Sequence, residues 1–247
     1  MPHSVRADRP RTPQAVFDRI APYYDTLNGL LSVGMDRRWR KETVLSLGLH
    51  PGEHVLDVAT GTGALATAIA RMSSGTVSVT GCDTNERMLA VARRRAKHAH
   101  AHVEYIACDA TNLPFPKNSF QAATIGFAID DMDDRAACVR EVWRVLCPGG
   151  LVAILELSQP HAGPIKAAYR AYLRTFRLLG RLSFDGYTHL EQEILQYRGA
   201  DAVKDLLSNG GFSRYRRTDL TWGIARLHVA EKVDFSQDDT LQRGQIT

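Results

Sequence analysis

Five aspartates standing at the ends of strand-like runs are the residues whose spacing points to chemistry. Asp57 opens Asp57-Val58-Ala59-Thr60-Gly61-Thr62-Gly63, a turn whose small residues let a ligand approach the backbone closely. Asp83 follows Gly63 by 20 positions and ends the next run, where a carboxylate accepts hydrogen bonds from both hydroxyls of an adenosine ribose. Asp109 ends a third run, within reach of an adenine edge. A carboxylate just before the turn suits the ammonium of an amino-acid group and repels a pyrophosphate. Together these residues predict a site for S-adenosylmethionine built from Asp57, Ala59, Thr60, Gly61, Gly63, Asp83, Thr84, Met88, Asp109, Ala110 and Gly126. Two other readings stay open. With Ala66 the turn also fits the alanine variant of a dinucleotide fingerprint, which would mean a nicotinamide enzyme. A glycine turn that binds nothing is the plainest alternative.

Methyl transfer from a sulfonium asks the protein to align the nucleophile and, where needed, to remove a proton. Asp130 and Asp131 leave a fourth run at the sheet edge where open α/β folds bind ligands; with Asp133 and Asp134 they also read as a solvated acidic loop. Tyr24 and His189 complete the candidate catalytic set. His98, His100 and His102 alternate within one short segment, which offers poor ligand geometry, so the chain is expected to hold no metal. Lys166, Arg170, Arg174, Arg177 and Arg181 recur at helical spacing beside Tyr169, Tyr172 and Phe176. Such a basic amphipathic helix suits either an anionic membrane surface or an exposed face over a core.

The elements that must position these groups alternate between strand and helix. Residues 55–59 form a short apolar run before the turn, residues 64–71 read as helix, and strands are expected over 76–81, 103–107, 122–127 and 151–157. Charged or amphipathic helices fill 87–97 and 135–146, the latter stopped by Pro148-Gly149-Gly150. The pattern predicts a doubly wound α/β fold with a mostly parallel, seven-stranded, Rossmann-like sheet. A helical lead-in over 14–47 and a helical substrate lid over 163–197 stand outside the alternation. Residues 14–235 read as one domain between a flexible arm, 1–13, and a flexible tail, 236–247.

Composition narrows the function classes. The formal charge of +4 over 247 residues is too mild for a nucleic-acid-binding surface. No run approaches the ~18 apolar residues of a membrane span, and no signal peptide is recognisable. Four cysteines without metal or redox spacing suit a reducing, cytoplasmic location. The expected partner is a small-molecule acceptor, lipid-tailed acceptors included; peripheral membrane contact and a homodimer are left open.

Several stretches resemble the class I methyltransferases and, more narrowly, the ubiquinone/menaquinone biosynthesis C-methyltransferases. They are Val16-Phe17-Asp18-Arg19-Ile20-Ala21-Pro22-Tyr23-Tyr24-Asp25, Arg37-Arg38-Trp39-Arg40, the Asp57–Gly63 turn, Asp109-Ala110 with Leu113-Pro114-Phe115, and Leu155-Glu156-Leu157-Ser158-Gln159-Pro160. The resemblance covers about Val16 to Val233. It implies C-methylation of a quinol or phenol-like ring and tilts Tyr24 towards lining the active-site lid. O- or N-methylation of a small natural product, or a silent cofactor-binding subunit, are the competing functions. The chain departs from the family at two places. Where the family reads Phe-Gly-Leu-Arg-Asn, with the Arg-Asn pair near the reacting quinol, this chain has Phe127-Ala128-Ile129-Asp130-Asp131. Its second signature is altered to Asp185-Gly186-Tyr187-Thr188-His189-Leu190.

Overall fold

From Val55 onward β1 (His54–Val58) is buried on both of its faces, so each face meets a layer of helices. The computed structural model describes residues 25, 28, 29, 32, 34–160, 163–180 and 200–233. After α1 (Asp36–Ser46) and β1, the chain runs through α2 (Ala64–Met72), β2 (Ser78–Asp83), α3 (Glu86–His98), β3 (Glu104–Ala107) and β4 (Phe120–Gly126). It continues through α4 (Arg135–Val145), β5 (Leu146–Leu157), α5 (Pro164–Gly180), α6 (Ala200–Asn209), β6 (Ser213–Leu220) and β7 (Ala225–Glu231). The seven strands stack in the order β3-β2-β1-β4-β5-β7-β6. Strands β1 to β5 pair in parallel, and β7 runs antiparallel to both of its neighbours. The expected doubly wound, mostly parallel sheet is therefore the one observed.

Leu56 and Val58 point to one face, where Ile125, Ile154, Val139 and Val142 of α4 and Leu207 of α6 complete the core. Val55 points to the other, against Leu65 and Ile69 of α2 and Val44 and Leu47 near α1. Each such side chain, fully removed from water, contributes about 1.5–3 kcal/mol. The order of the strands reverses between β1 and β4, so helices leave in opposite directions and a crevice opens beyond the strands' carboxyl ends. Asp57 at the end of β1 and Gly126 at the end of β4 flank that crevice.

One expectation is corrected. The Pro148-Gly149-Gly150 segment does not cap α4: the helix already ends at Val145, and these residues lie inside the long strand β5. Phe120 pairs with Leu146 but Ala122 pairs with Leu151, so the glycines form an outward bulge in the ladder. Gly149 takes φ +78°, and a Cβ on Gly150 would stand 2.8 Å from the Cys147 carbonyl oxygen. The left-handed backbone at Gly149 and the crowding at Gly150 are why glycines occupy these two positions of the bulge. The helical segment expected as a lid over 163–197 is described as far as α5 (Pro164–Gly180). Tyr169 is buried while Arg170 is exposed on this helix, and the remainder of the 163–197 segment, His189 included, lies outside the described residues. The lead-in is helical at Asp25, Asn28 and Gly29 and again over Asp36–Ser46, and Tyr24 lies outside the described residues. Among the described residues no helix is long and apolar enough to cross a membrane.

Candidate functional site

The glycine turn is held by the carboxylate that precedes it. Asp57 is only 1% exposed. Its Oδ2 accepts hydrogen bonds from the Thr60 hydroxyl at 2.5 Å and from the Ala66 backbone N–H at 3.1 Å, and its Oδ1 accepts from the Thr124 hydroxyl at 2.6 Å. The Ala66 bond satisfies one of the orphan amides in the first turn of α2, whose N-cap, Gly63, has no side chain to do so. Asp57 is thus a brace for the turn as well as a charge beneath it. Burial pushes its carboxyl up to about 6, against the opposing pull of the Thr124, Thr60 and Ala66 bonds and the Arg40 charge.

A carboxyl whose folded pKa exceeds its unfolded value binds more protons when folded, so its contribution to stability falls as pH rises. For Asp57 the loss begins near the ordinary 3.8 and is complete above about 6, and it amounts to about 3 kcal/mol. An Asp57→Asn variant keeps the shape, presents its carbonyl to Thr60 and Ala66, and turns its amide to Thr124. Its Tm is expected to exceed the parent's at pH 8, with the gap closing towards pH 4 in thermal unfolding. Cofactor affinity is expected to drop about tenfold, the equivalent of about 1.4 kcal/mol.

Asp83 closes the turn from the other side. Its Oδ2 accepts the Gly61 N–H at 2.8 Å, and its Oδ1 accepts the Asn85 N–H at 2.9 Å. Each carboxylate oxygen retains a lone pair for a further donor. Burial raises the Asp83 carboxyl above its ordinary value despite the backbone bonds, which lower it. Asn85 then caps α3, accepting from the Arg87 and Met88 amides at 2.9 and 3.1 Å. That cap seats Met88 at the cavity wall. Beyond β3, Asp109 takes the Thr111 N–H and hydroxyl, both at 2.8 Å and both on Oδ1. These bonds hold its carboxyl below the ordinary value.

These groups line a cavity of about 810 Å³, within the size range of small-molecule and cofactor sites. Ala59, Thr60, Gly61, Thr84, Met88, Ala110 and Gly126 line it together with Asp57, Asp83 and Asp109. Gly63 is an exception among the candidates. It stands behind the turn at φ +70°, where a Cβ would lie 2.3 Å from Tyr105 Oη and 2.8 Å from Ala92 Cβ. It is glycine because two elements pack across it, and it is absent from the cavity's lining.

Among the described lining residues six are aspartates and one, Arg40, is cationic. That balance favours a positively charged ligand and disfavours a pyrophosphate. Arg40 went unrecognised as a site residue at the sequence level. It lies on α1, is paired with Asp36, and its guanidinium sits 5.5 Å from the centre of the Phe127 ring. The signal was present as a cation next to a large aromatic, since Trp39 anchors the helix through a 2.8 Å bond to Thr221 Oγ1.

The acidic pair after β4 divides. Asp130 is exposed and bonded to Arg135 at 2.6 Å, and it does not line the cavity. Asp131 does line it, beside Phe127, Ala128 and Met132. The adjacency of Asp130 to Asp131 in sequence suggested equal candidates, but the 3₁₀ turn at Ile129–Asp131 sends them in different directions. Asp134, a companion in the acidic loop, caps α4 by accepting the Ala137 N–H at 2.8 Å. Glu156, a second residue not singled out from sequence, lies fully buried on β5 and accepts the Ile129 N–H at 3.3 Å. Burial, reinforced by the charges of Asp130 and Asp131, raises its carboxyl well above the ordinary value. A lone carboxylate inside the apolar run Leu151–Leu157 was the available signal. His98, His100 and His102 are exposed between α3 and β3, at the end of the sheet away from the cavity.

Known proteins place this geometry. The ubiquinone/menaquinone biosynthesis C-methyltransferase UbiE of Geobacter sulfurreducens is 38% identical over 224 residues, covering 88% of this chain and 87% of that protein. The demethylmenaquinone methyltransferase of Thermus thermophilus is 39% identical over 223 residues, covering 88% of this chain and all of that protein. In fold, the chain matches a putative S-adenosyl-L-methionine-dependent methyltransferase of Methanococcus maripaludis with a TM-score of 0.67 at 17% identity, over 89% of this chain and 95% of that one. The model of the ubiE/COQ5 methyltransferase family matches residues 5–232. A braced glycine turn, an anionic crevice at the strand-order reversal and a family match across nearly the whole length converge: the chain belongs to the ubiE/COQ5 methyltransferase family.

Proposed function

We propose that this enzyme methylates a ring carbon of a quinol or phenol-like acceptor, using S-adenosylmethionine held in the crevice between β1 and β4. The observation that carries the reading is the anionic cavity with one carboxylate, Asp131, set against an apolar wall of Phe127, Ala128, Met132 and Leu155. The cavity's charge suits a cofactor that is cationic at its sulfonium and its ammonium. Bound S-adenosylmethionine supplies an electrophilic methyl group. Asp83 offers its remaining lone pairs to the ribose hydroxyls. Asp109 offers Oδ2, which takes no hydrogen bond from the described residues, to the adenine edge. Arg40 is placed to meet the cofactor's carboxylate.

Asp131 accepts the proton of the phenolic hydroxyl, which drives electron density onto the adjacent ring carbon that attacks the methyl. The electron pair of the broken bond to the methyl group would stay on the cofactor's sulfur; the methylated ring carbon gives up its proton to solvent to restore aromaticity, and the ring oxygen takes a proton back from Asp131. Family members such as the Geobacter and Thermus relatives are named for ubiquinone, menaquinone or demethylmenaquinone. Those names support a quinone-type ring for this chain. The Asp130–Arg135 pair supports it too: the cation cancels one of the two charges introduced where the family has Arg-Asn, leaving Asp131 as the acting carboxylate.

The test is incubation with S-adenosylmethionine and a demethylmenaquinol, scored by mass spectrometry for a ring methyl. Asp131→Asn is expected to lower kcat by about 100-fold, the lower end of general-base effects, with cofactor affinity retained. Asp130→Asn should change kcat by about threefold or less, in line with an exposed ion pair. Absence of a ring-methylated product, with methylated amines formed instead, would overturn the reading. The rim carboxylates Asp131, Asp133 and Asp134 would then be the acceptor's cation site.

A further inference from the structure

Two cysteines meet at the wall of the cofactor cavity, a position that the methyl-transfer chemistry does not use. Cys82 is the penultimate residue of β2, and Cys108 follows β3 directly. Cys82 pairs in register with Ile106, so Cys108, two residues further on, returns to the same face of the sheet. The Cys108 N–H donates to the Asp83 carbonyl at 3.1 Å, which extends the ladder past the end of β3 and keeps the two strand ends together. Both residues line the cavity. Cys82 is 1% exposed, whereas Cys108 is half-buried and open to a reagent entering the crevice. Both are free thiols. The neighbouring Cys82 thiol lowers the Cys108 thiol from its ordinary value, and the Cys108 thiol together with burial raises that of Cys82, so Cys108 is the first to ionise.

We propose that Cys82 and Cys108 form a peroxide-sensitive dithiol whose oxidation closes the cofactor site. The Cys108 thiolate attacks one oxygen of hydrogen peroxide; the O–O bond breaks, Cys108 becomes a sulfenic acid, and hydroxide leaves to be protonated to water. The Cys82 sulfur then attacks the sulfenic sulfur. An S–S bond forms, and the sulfenic hydroxyl departs with the Cys82 proton as a second water. Two electrons pass from the thiols to peroxide, which is reduced to water. The consequence follows from chain position. Asp83 directly follows Cys82, and Asp109 directly follows Cys108. Cys108 lies two residues past the register partner of Cys82, so a bond between the sulfurs pulls the end of β3 back along β2 and shifts the carboxylates assigned to ribose and adenine. The inference depends on that cofactor site and not on the identity of the acceptor.

The experiment uses the reduced full-length protein, treated with hydrogen peroxide and digested without reductant for peptide mass spectrometry. A peptide linking Cys82 to Cys108 is expected, and prior saturation with S-adenosylhomocysteine should slow its formation. Calorimetry with S-adenosylhomocysteine should show affinity falling tenfold or more in the linked protein and returning on treatment with dithiothreitol. Cys108→Ser, compared with its own untreated sample, should keep its affinity after peroxide. Cys147→Ser should respond like the parent, because Cys147 donates to the Asn118 carbonyl away from the cavity. Failure to find the linked peptide at saturating peroxide overturns the proposal, and that measurement needs no variant. Undiminished affinity in the linked protein, or equal peroxide sensitivity in Cys108→Ser, overturns it as well. The intact cofactor affinity of the reduced parent separates these outcomes from failure of the binding-site assignment itself.

Discussion

Replacing Asp83 by alanine is expected to weaken S-adenosylhomocysteine binding by about 100- to 1000-fold, the largest affinity loss of any single change in the cavity. Hydrogen bonds to a charged acceptor contribute about 1.5–3 kcal/mol each, and two ribose hydroxyls converge on this carboxylate in the proposed complex. The variant also releases the Gly61 N–H, bonded at 2.8 Å, and so loosens the turn against which the ligand lies. Asp83→Asn separates the two contributions. Its carbonyl can keep the Gly61 bond, but its amide can accept nothing from a hydroxyl. An intermediate loss of about tenfold is expected, equivalent to about 1.4 kcal/mol. Isothermal calorimetry with S-adenosylhomocysteine measures both variants. Burial raises the Asp83 carboxyl, so a neutral amide gains stability at neutral pH; this offsets the Asn85 N–H bond that the amide cannot accept, and Tm should change little. A loss of affinity accompanied by a large fall in Tm would mean that Asp83 supports the fold rather than the ligand.

Gly63→Ala is expected to be the most damaging small substitution for stability. The residue sits at φ +70°, and the added methyl would stand 2.3 Å from Tyr105 Oη, 2.9 Å from Tyr105 Cζ and 2.8 Å from Ala92 Cβ. The left-handed backbone costs about 1–2 kcal/mol for a non-glycine residue, and overpacking adds about 1–3 kcal/mol. A total of about 3 kcal/mol lowers Tm by about 6–12 °C in a protein of this size. Tyr105→Phe removes the nearest clashing atom and leaves Ala92 in place. The double variant should therefore recover part of the loss, with a coupling of about 1 kcal/mol in a double-mutant cycle. No recovery would show that backbone strain alone sets the cost. The comparison bears on function because Gly63 lies immediately before α2, whose Ala66 amide ties the turn to Asp57.

The periodicities of the chain determined the sheet, because a buried parallel strand must be short, apolar and bounded by turn residues. Val55–Val58 and Leu151–Leu157 satisfy that rule with little ambiguity. The placement of Asp57, Asp83 and Asp109 at strand ends was legible for the same reason: in an open α/β sheet, strand ends and ligand crevice coincide.

What remained was decided by tertiary structure. Asp130 and Asp131 are neighbours of one type, and only the 3₁₀ turn and the Arg135 partner assign one to solvent and the other to the cavity. Gly63 and Gly61 belong to one motif, yet Tyr105, 42 positions later in the chain, makes Gly63 a packing residue. Arg40 and Glu156 reach the site region from a lead-in helix and from the middle of an apolar strand, where local pattern carries no sign of their partners. The glycine pair after α4 looked like a helix stop and proved to be a bulge, because the register of β4 against β5 is set across the sheet. Local sequence determines which element a residue occupies. Which way its side chain faces, and which charge it meets there, depends on contacts that only the folded chain brings together.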